Sequence, residues 1–231
     1  MAMLVASTGC SPDQSGDVPI VHHSHKVQRV ASSPHGKTFP DGEAVPAKIM
    51  TLMKLKENGD TAEYLAAARD FLSANRNDFV AADVMTVYAK ERMTNEFQVF
   101  GHSYATNSPA LLLEFAEIAN NEAWHPMVAE FAQSVVNKET ASYAELYRAA
   151  RFLLSQGNVE SVAKSMPRIN FLAAKRYQKE DAELLTCELA VCQGDASEET
   201  IKSLGRLANE AMMPQVRKSA ARLWETVQSK E

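Results

Sequence analysis

Between Ala141 and Tyr177 the sequence carries two apolar stripes joined by a short polar turn, and few folds can accommodate this pattern. Apolar residues recur at intervals of three and four, which places them on one face of an α-helix, first in Leu146, Ala149, Ala150, Leu153 and Leu154. The period resumes in Val159, Val162, Ala163, Met166 and Ile169. Gly157 stands between the stripes, where a helix needs a left-handed C-terminal residue. The stretch is therefore predicted to be a helical hairpin, with alanines near the turn that let its helices approach closely.

A single hairpin cannot bury both of its faces, so further copies are expected in the chain. Gly59 lies 98 residues before Gly157, close to three periods of about 33, and Gly194 lies 37 residues after it. Spacings in the mid-thirties are typical of stacked helix pairs. The sequence thus predicts an all-α fold over residues 45–231, a right-handed α-solenoid of about five antiparallel helix hairpins and a C-terminal capping helix.

Capping residues and prolines predict where the helices begin. The predicted N-caps are Asp60, Asp78, Asn95 and Ser108, and the first and last helices start at Pro46 and Pro214. Within these helices Gly101 is expected to weaken the fourth, and Pro167 to kink or break the eighth. Apolar stripes also include three of the ten methionines, which are predicted to serve in packing: Met53, Met85 and Met166.

The overall charge and the cysteines argue against a nucleic-acid partner and against a fold held by disulfides. A net charge of −5 and a pI near 5.7 argue against a nucleic-acid partner, which would favour a basic surface. Three cysteines make no disulfide framework, and Cys187 and Cys192 are interpreted as small buried residues. No run approaches the ~20 apolar residues that a membrane-spanning helix needs.

Residues 1–44 differ from the rest, since they are rich in Ser, Pro, Gly, Asp and His and show no helical period. They are interpreted as a flexible N-terminal tether. Leu4 to Cys10 resembles the end of a bacterial lipoprotein signal, in which the cysteine is lipidated after cleavage. The apolar part is short and no basic region precedes it, which a start codon further upstream would explain. The expectation is a lipoprotein anchored through Cys10 in the bacterial cell envelope, facing the periplasm or the exterior, and the alternative is a cytoplasmic protein.

From Val45 to Val227 the chain resembles the tetratricopeptide-repeat (TPR) superfamily and its HEAT-type relatives. Gly157, with the alanines around it, fits the small-residue positions of the TPR family, whereas Tyr64 stands where that family prefers alanine. The stretch from Pro214 to Ala220 looks like the second helix of a HEAT repeat. The resemblance implies a non-enzymatic scaffold without a cofactor, which binds a protein or peptide through a concave surface lined by the first helix of each pair.

A histidine cluster in the tether supports a different hypothesis, a metal-binding envelope protein. In an extended segment His23 and His25 point the same way and could share a transition metal, with His22 beside them and His35 as a third ligand. No carboxylate or cysteine lies at a convincing ligand spacing, so a solvated polar segment is the competing interpretation.

Motifs that would indicate an enzyme are incomplete. The stretch from Ala31 to Thr38 approximates a phosphate-binding loop, but Phe39-Pro40 follows where a helix must begin. The Ser-x-x-Lys at Ser161 lacks the partner motifs of penicillin-recognising enzymes. Trp124-His125 is interpreted as an interhelical turn with an aromatic anchor, or as a partner-binding hot spot.

Overall fold

The computed structural model describes residues 45–195 and 197–229. These residues form eleven α-helices and no strand, which confirms the predicted all-α class. The helices are α1 (Val45–Glu57), α2 (Thr61–Ala74), α3 (Asp78–Lys90), α4 (Thr94–Ala105), α5 (Pro109–Asn121), α6 (His125–Val136), α7 (Tyr143–Ser155), α8 (Val159–Leu172), α9 (Arg176–Cys192), α10 (Glu198–Glu210) and α11 (Pro214–Gln228).

The described chain divides between Asn75 and Arg76 into two compact units. The first unit contains α1 packed against α2. In the second unit each helix from α3 to α11 packs against the next, and α11 also contacts α9. The first helices of the pairs, α3, α5, α7 and α9, are neighbours in the same order. The second unit is therefore solenoid-like, with four helix pairs and a final unpaired helix, and the first unit contains one further pair. These elements are the five hairpins and the last helix that the sequence predicts.

Every pair closes on a residue in the left-handed region. The backbone angle φ is 80° at Gly59, 57° at Arg92, 57° at Ala123, 73° at Gly157 and 80° at Gly194. These residues follow one another at intervals of 33, 31, 34 and 37. In the last four pairs the next residue donates its N–H, at 2.9 Å, to the carbonyl five residues earlier, which is the Schellman closure of a helix end. The repeat is thus regular in geometry even where glycine is absent.

Two of the predicted helix starts are wrong. The N-cap of α3 is Asn77, whose side chain accepts from the Val80 N–H at 3.0 Å, and Asp78 is the first helical residue. The fourth helix begins at Thr94 without a side-chain cap, because the left-handed turn at Arg92 reverses the chain earlier than Asn95. The caps at Asp60 and Ser108 are confirmed, and α1 begins one residue before Pro46.

Pro167 does not end α8, which continues from Val159 to Leu172. Proline removes one backbone hydrogen bond, but the residue itself is exposed and Val162, Met166 and Ile169 around it are buried. Packing of that apolar face holds the helix together across the proline. The partner helix α7 is fixed at its start by a capping box between Ser142 and Glu145, which is not among the predicted N-caps.

Gly101 has a packing role that the sequence did not reveal. A Cβ atom on Gly101 would lie 2.6 Å from the Phe131 ring, so only glycine lets α6 approach α4 this closely. The Phe131 ring makes edge contacts with Phe97 at 5.9 Å and with Phe115 at 6.2 Å between centroids. The glycine therefore weakens α4 as a helix but admits the ring that joins three helices.

The ninth helix is longer than the other first helices, with 17 residues against 13 in α3, α5 and α7. Arg176 in its additional first turn and Glu180 in the turn that follows bind the loop between α10 and α11. Buried Glu180 accepts from the Met212 N–H at 2.6 Å and from Arg176 at 2.8 Å, and Arg176 also donates to the Glu210 carbonyl. Burial raises the pKa of Glu180, but these hydrogen bonds outweigh it and leave that pKa below its usual value.

The left-handed turns can be tested by exchanging alanine and glycine. Ala123→Gly should stabilise the protein by up to about 1 kcal/mol, because a non-glycine residue in this conformation is strained. Gly157→Ala should destabilise it by about 1 kcal/mol, and the strain is purely in the backbone, since no atom lies within 4 Å of the added Cβ. Urea unfolding of each variant measures both changes.

Ala66→Gly is the matched control, because Ala66 is exposed in the middle of α2. Glycine there should cost roughly 0.5–1 kcal/mol through lost helix propensity. If Ala123→Gly lowered the free energy of unfolding as Ala66→Gly does, Ala123 would not occupy the left-handed region.

Candidate functional site

Counting back from the left-handed turn residue shows that the first helices expose equivalent positions. The residues 13, 9, 6 and 2 places before the turn residue are exposed or half-buried in α3, α5 and α7, and in α9 all but Leu185 are. Steps of four, three and four lie on one side of a helix. We call these residues of the second unit the first-helix face: Phe79, Asp83, Thr86, Lys90, Ala110, Glu114, Glu117, Asn121, Ala144, Arg148, Arg151, Ser155, Asp181, Glu188 and Cys192.

In the first unit, α1 exposes the same positions. Met50 and Met53 lie 9 and 6 residues before Gly59, and 63% and 37% of their surfaces are exposed. The prediction that Met53 packs in the core is therefore wrong, because Leu52 is the buried residue of this helix. Met85 and Met166 are buried as predicted.

Two ion pairs cross the first-helix face and show that its helices lie side by side. Arg148 of α7 donates to Glu117 of α5, and Arg151 of α7 donates to Glu188 of α9. Ion pairs that remain accessible to solvent on at least one side contribute only about 0–1 kcal/mol each to stability. Their main effect is electrostatic, because the two glutamates neutralise both arginines of the first-helix face.

Glu114 is the contrasting residue of the face. It is exposed, and no cation of the described chain lies within ion-pair distance of it. Partial desolvation by the neighbouring helices raises its pKa, and the charges of Glu117 and Asp78 raise it further, against an opposing effect of Arg148. A carboxylate is thus held among like charges, where the negative form is disfavoured.

Tyrosines fix the α7–α9 side of this face. Tyr143 donates its hydroxyl to the Gln178 carbonyl at 2.6 Å and stacks on Tyr147, with 5.9 Å between ring centroids. Burial raises the pKa of both phenols, so they stay protonated at neutral pH. Tyr143 therefore acts as a fixed donor that ties the start of α9 to α7.

Two grooves open elsewhere in the second unit. The larger, of about 630 Å³, is lined by residues of α8, α9 and α10, among them Cys187 and Thr200. Burial raises the pKa of the Cys187 thiol to about 11, so it is protonated and a poor nucleophile at neutral pH. The smaller, of about 380 Å³, lies among α6, α7 and α8 and includes Lys164 and Arg168. Lys164 pairs with Glu160 at 2.6 Å, and Arg168 donates to backbone carbonyls, so both cations are engaged.

The structure does not test the lipidation and metal sites that are predicted from the sequence. Cys10 and the four histidines His22, His23, His25 and His35 lie outside the described residues. Among residues 45–195 and 197–229, no group of three histidine, cysteine or acidic side chains is placed to hold a metal. Trp124 packs edge-on against Phe97 at 5.1 Å, which agrees with its interpretation as an aromatic anchor.

Cys187 is buried as predicted, but Cys192 is half-buried and belongs to the first-helix face. The equivalence of exposed positions was the signal that sequence reasoning missed, because it appears only once Arg92 and Ala123 are known to be turn residues. No helix in the described part of the chain is long and apolar enough to cross a membrane.

Comparisons of the chain with protein-family models, with curated proteins and with solved structures found no match.

Removing the Glu114 charge should leave the fold slightly more stable at neutral pH. Because the pKa of Glu114 is raised in the folded state, its ionised form destabilises the fold at any pH above that pKa. The destabilisation decreases as pH falls through the folded-state pKa and is absent below the pKa of the unfolded chain. Glu114→Gln should therefore raise the free energy of unfolding at pH 7 by up to about 0.5 kcal/mol, a surface-sized effect. Thermal or urea unfolding between pH 7 and pH 4 measures it.

Glu160→Gln is the control, because Glu160 is an exposed acid whose pKa Lys164 lowers. Its removal should not stabilise the protein at pH 7. A loss of stability in Glu114→Gln at neutral pH would show that Glu114 is a structural residue.

Proposed function

We propose that this protein is a non-enzymatic scaffold built on TPR-like repeats, which binds a protein or peptide across the first-helix face. The observation that carries the proposal is the recurrence of the same exposed positions in successive first helices, which pack side by side from α3 to α9. A surface repeated in this way suits an extended partner that contacts several helices at once.

The side chains of the face support binding. Phe79, which lies 13 residues before its turn residue, is 55% exposed. The equivalent residues of α5 and α7 are the small Ala110 and Ala144. An exposed aromatic ring beside small residues is a suitable anchor for an apolar group of a partner. The two crossing ion pairs hold Arg148 and Arg151 in place, which reduces the ordering entropy that binding would cost.

Packing at the turns supports the TPR-like assignment. Ala149 and Ala150 of α7 are fully buried, and Gly157 takes the left-handed conformation that the resemblance to this family implies. A fully buried alanine at a helix contact lets the two backbones come close, as stacked helix pairs require.

Site-specific photo-crosslinking in the native host tests where a partner binds. A photoreactive phenylalanine placed at Phe79 or at Ala144 should crosslink to the same partner. The same residue at Val99 of α4 or at Phe171 of α8, which are 71% and 86% exposed, should not. Immunoblots of the crosslinked products, followed by mass spectrometry, provide the measurement. Equal crosslinking from Val99 and Phe171 would locate the partner elsewhere and overturn the proposal.

We propose further that Cys10 is lipidated and anchors the scaffold to the bacterial cell envelope. The support is the resemblance of Leu4 to Cys10 to a lipoprotein signal. When the native gene is expressed in cells fed with a clickable fatty acid, the wild type and Cys187→Ala should be labelled and Cys10→Ala should not. The membrane fraction should lose Cys10→Ala in parallel, since one lipid group is the proposed anchor. Label on all three proteins, or on none, would contradict lipidation at Cys10.

A further inference from the structure

The charges of the first-helix face indicate which partner it can accept. Arg148 and Arg151 are already paired with Glu117 and Glu188, so an acidic ligand would have to displace a carboxylate of the protein. Lys90 is the remaining cation of the face, and it lies eleven residues, or about 16 Å, along α3 from Phe79. Among the described residues of the face near Phe79, therefore, no cation is unpaired, and Glu114 is a carboxylate without a counterion.

That carboxylate is Glu114, and its surroundings favour a cation from outside the molecule. The neighbouring charges are Glu117, which is occupied by Arg148, and Asp78, which is 3.4 Å from Arg76. Both raise the pKa of Glu114, so a positive group at this position relieves repulsion in addition to forming a hydrogen bond. Arg148 offsets part of this repulsion, but it is paired with Glu117, and no cation of the described chain lies within ion-pair distance of Glu114.

An exposed apolar residue lies on the neighbouring helix of the same face. Phe79 of α3 is 55% exposed, and α3 packs against α5, which carries Glu114. Ala110, one helical turn before Glu114, is the residue of α5 equivalent to Phe79, and it is small and exposed. A segment bound across α3 and α5 can therefore contact both the ring and the carboxylate.

We propose that the partner is a polypeptide segment with a lysine or arginine that pairs with Glu114, beside an apolar side chain that packs on Phe79. This inference rests on the proposed function and names the chemistry of its ligand. A charge-assisted hydrogen bond at a partly desolvated carboxylate makes the basic residue worth about tenfold or more in affinity. An acidic segment finds no unpaired cation among the described residues of the face near Phe79.

The test is a selection from a random phage-displayed peptide library on the immobilised full chain. Wild type and the control Glu225→Gln, an exposed acid of α11, should both enrich peptides in which a lysine or arginine accompanies an apolar residue. Glu114→Gln should lose the basic preference and keep the apolar one. Phe79→Ala should lose the apolar preference.

Selected peptides are then synthesised with the basic residue replaced by norleucine, and their affinities are measured by fluorescence anisotropy. Against the wild type the replacement should weaken binding about tenfold or more, and against Glu114→Gln it should have little effect. Circular dichroism of the variants, with unfolding midpoints, confirms that each remains folded.

The outcomes separate this inference from the proposed function. Peptides that need Phe79 but show no basic preference would overturn the role of Glu114 and leave a peptide-binding face in place. Peptides that bind both variants as tightly as the wild type would overturn the inference and the proposed face together.

Discussion

The left-handed turn residue is the constraint on which the rest of this structure depends. In the second unit the N–H that follows it bonds to the carbonyl five residues earlier, and this closure reverses the chain at a fixed point of every pair. The turn therefore sets the phase of the preceding helix, and with it which residues are buried and which are exposed. In the second unit both the core and the first-helix face therefore depend on four turn residues.

Much of the fold can be predicted because apolar stripes with a period near 3.6 are unambiguous in this chain. Gly59, Gly157 and Gly194 also mark three of the turns, since glycine adopts positive φ without strain. The turns at Arg92 and Ala123 could not be found in this way. Their strain of about 1 kcal/mol is tolerated because the surrounding helices are well packed, and packing is not visible in local sequence. The misplaced start of α4 directly follows the turn at Arg92.

The candidate site was predictable only in outline. The resemblance to repeat proteins implied that first helices line the binding surface, but the exposed positions depend on the turn residues. The ion pairs join residues 31 and 37 positions apart, Glu117 with Arg148 and Arg151 with Glu188. Such pairs depend on how neighbouring helices align sideways, which no periodicity specifies. The isolation of Glu114 is a consequence of those pairings and appears only in three dimensions.

The additional turn of α9 also has an evolutionary consequence. Tandem arrays lengthen when a repeat is duplicated, and the copy must fit between existing neighbours. A helix pair inserted after α10 would separate Glu180 from the Met212 N–H and Arg176 from the loop that follows α10. A buried carboxylate that loses partners costs about 1–3 kcal/mol or more. A pair inserted at this position is therefore tolerated only if it restores these hydrogen bonds, and this requirement restricts where the array can lengthen.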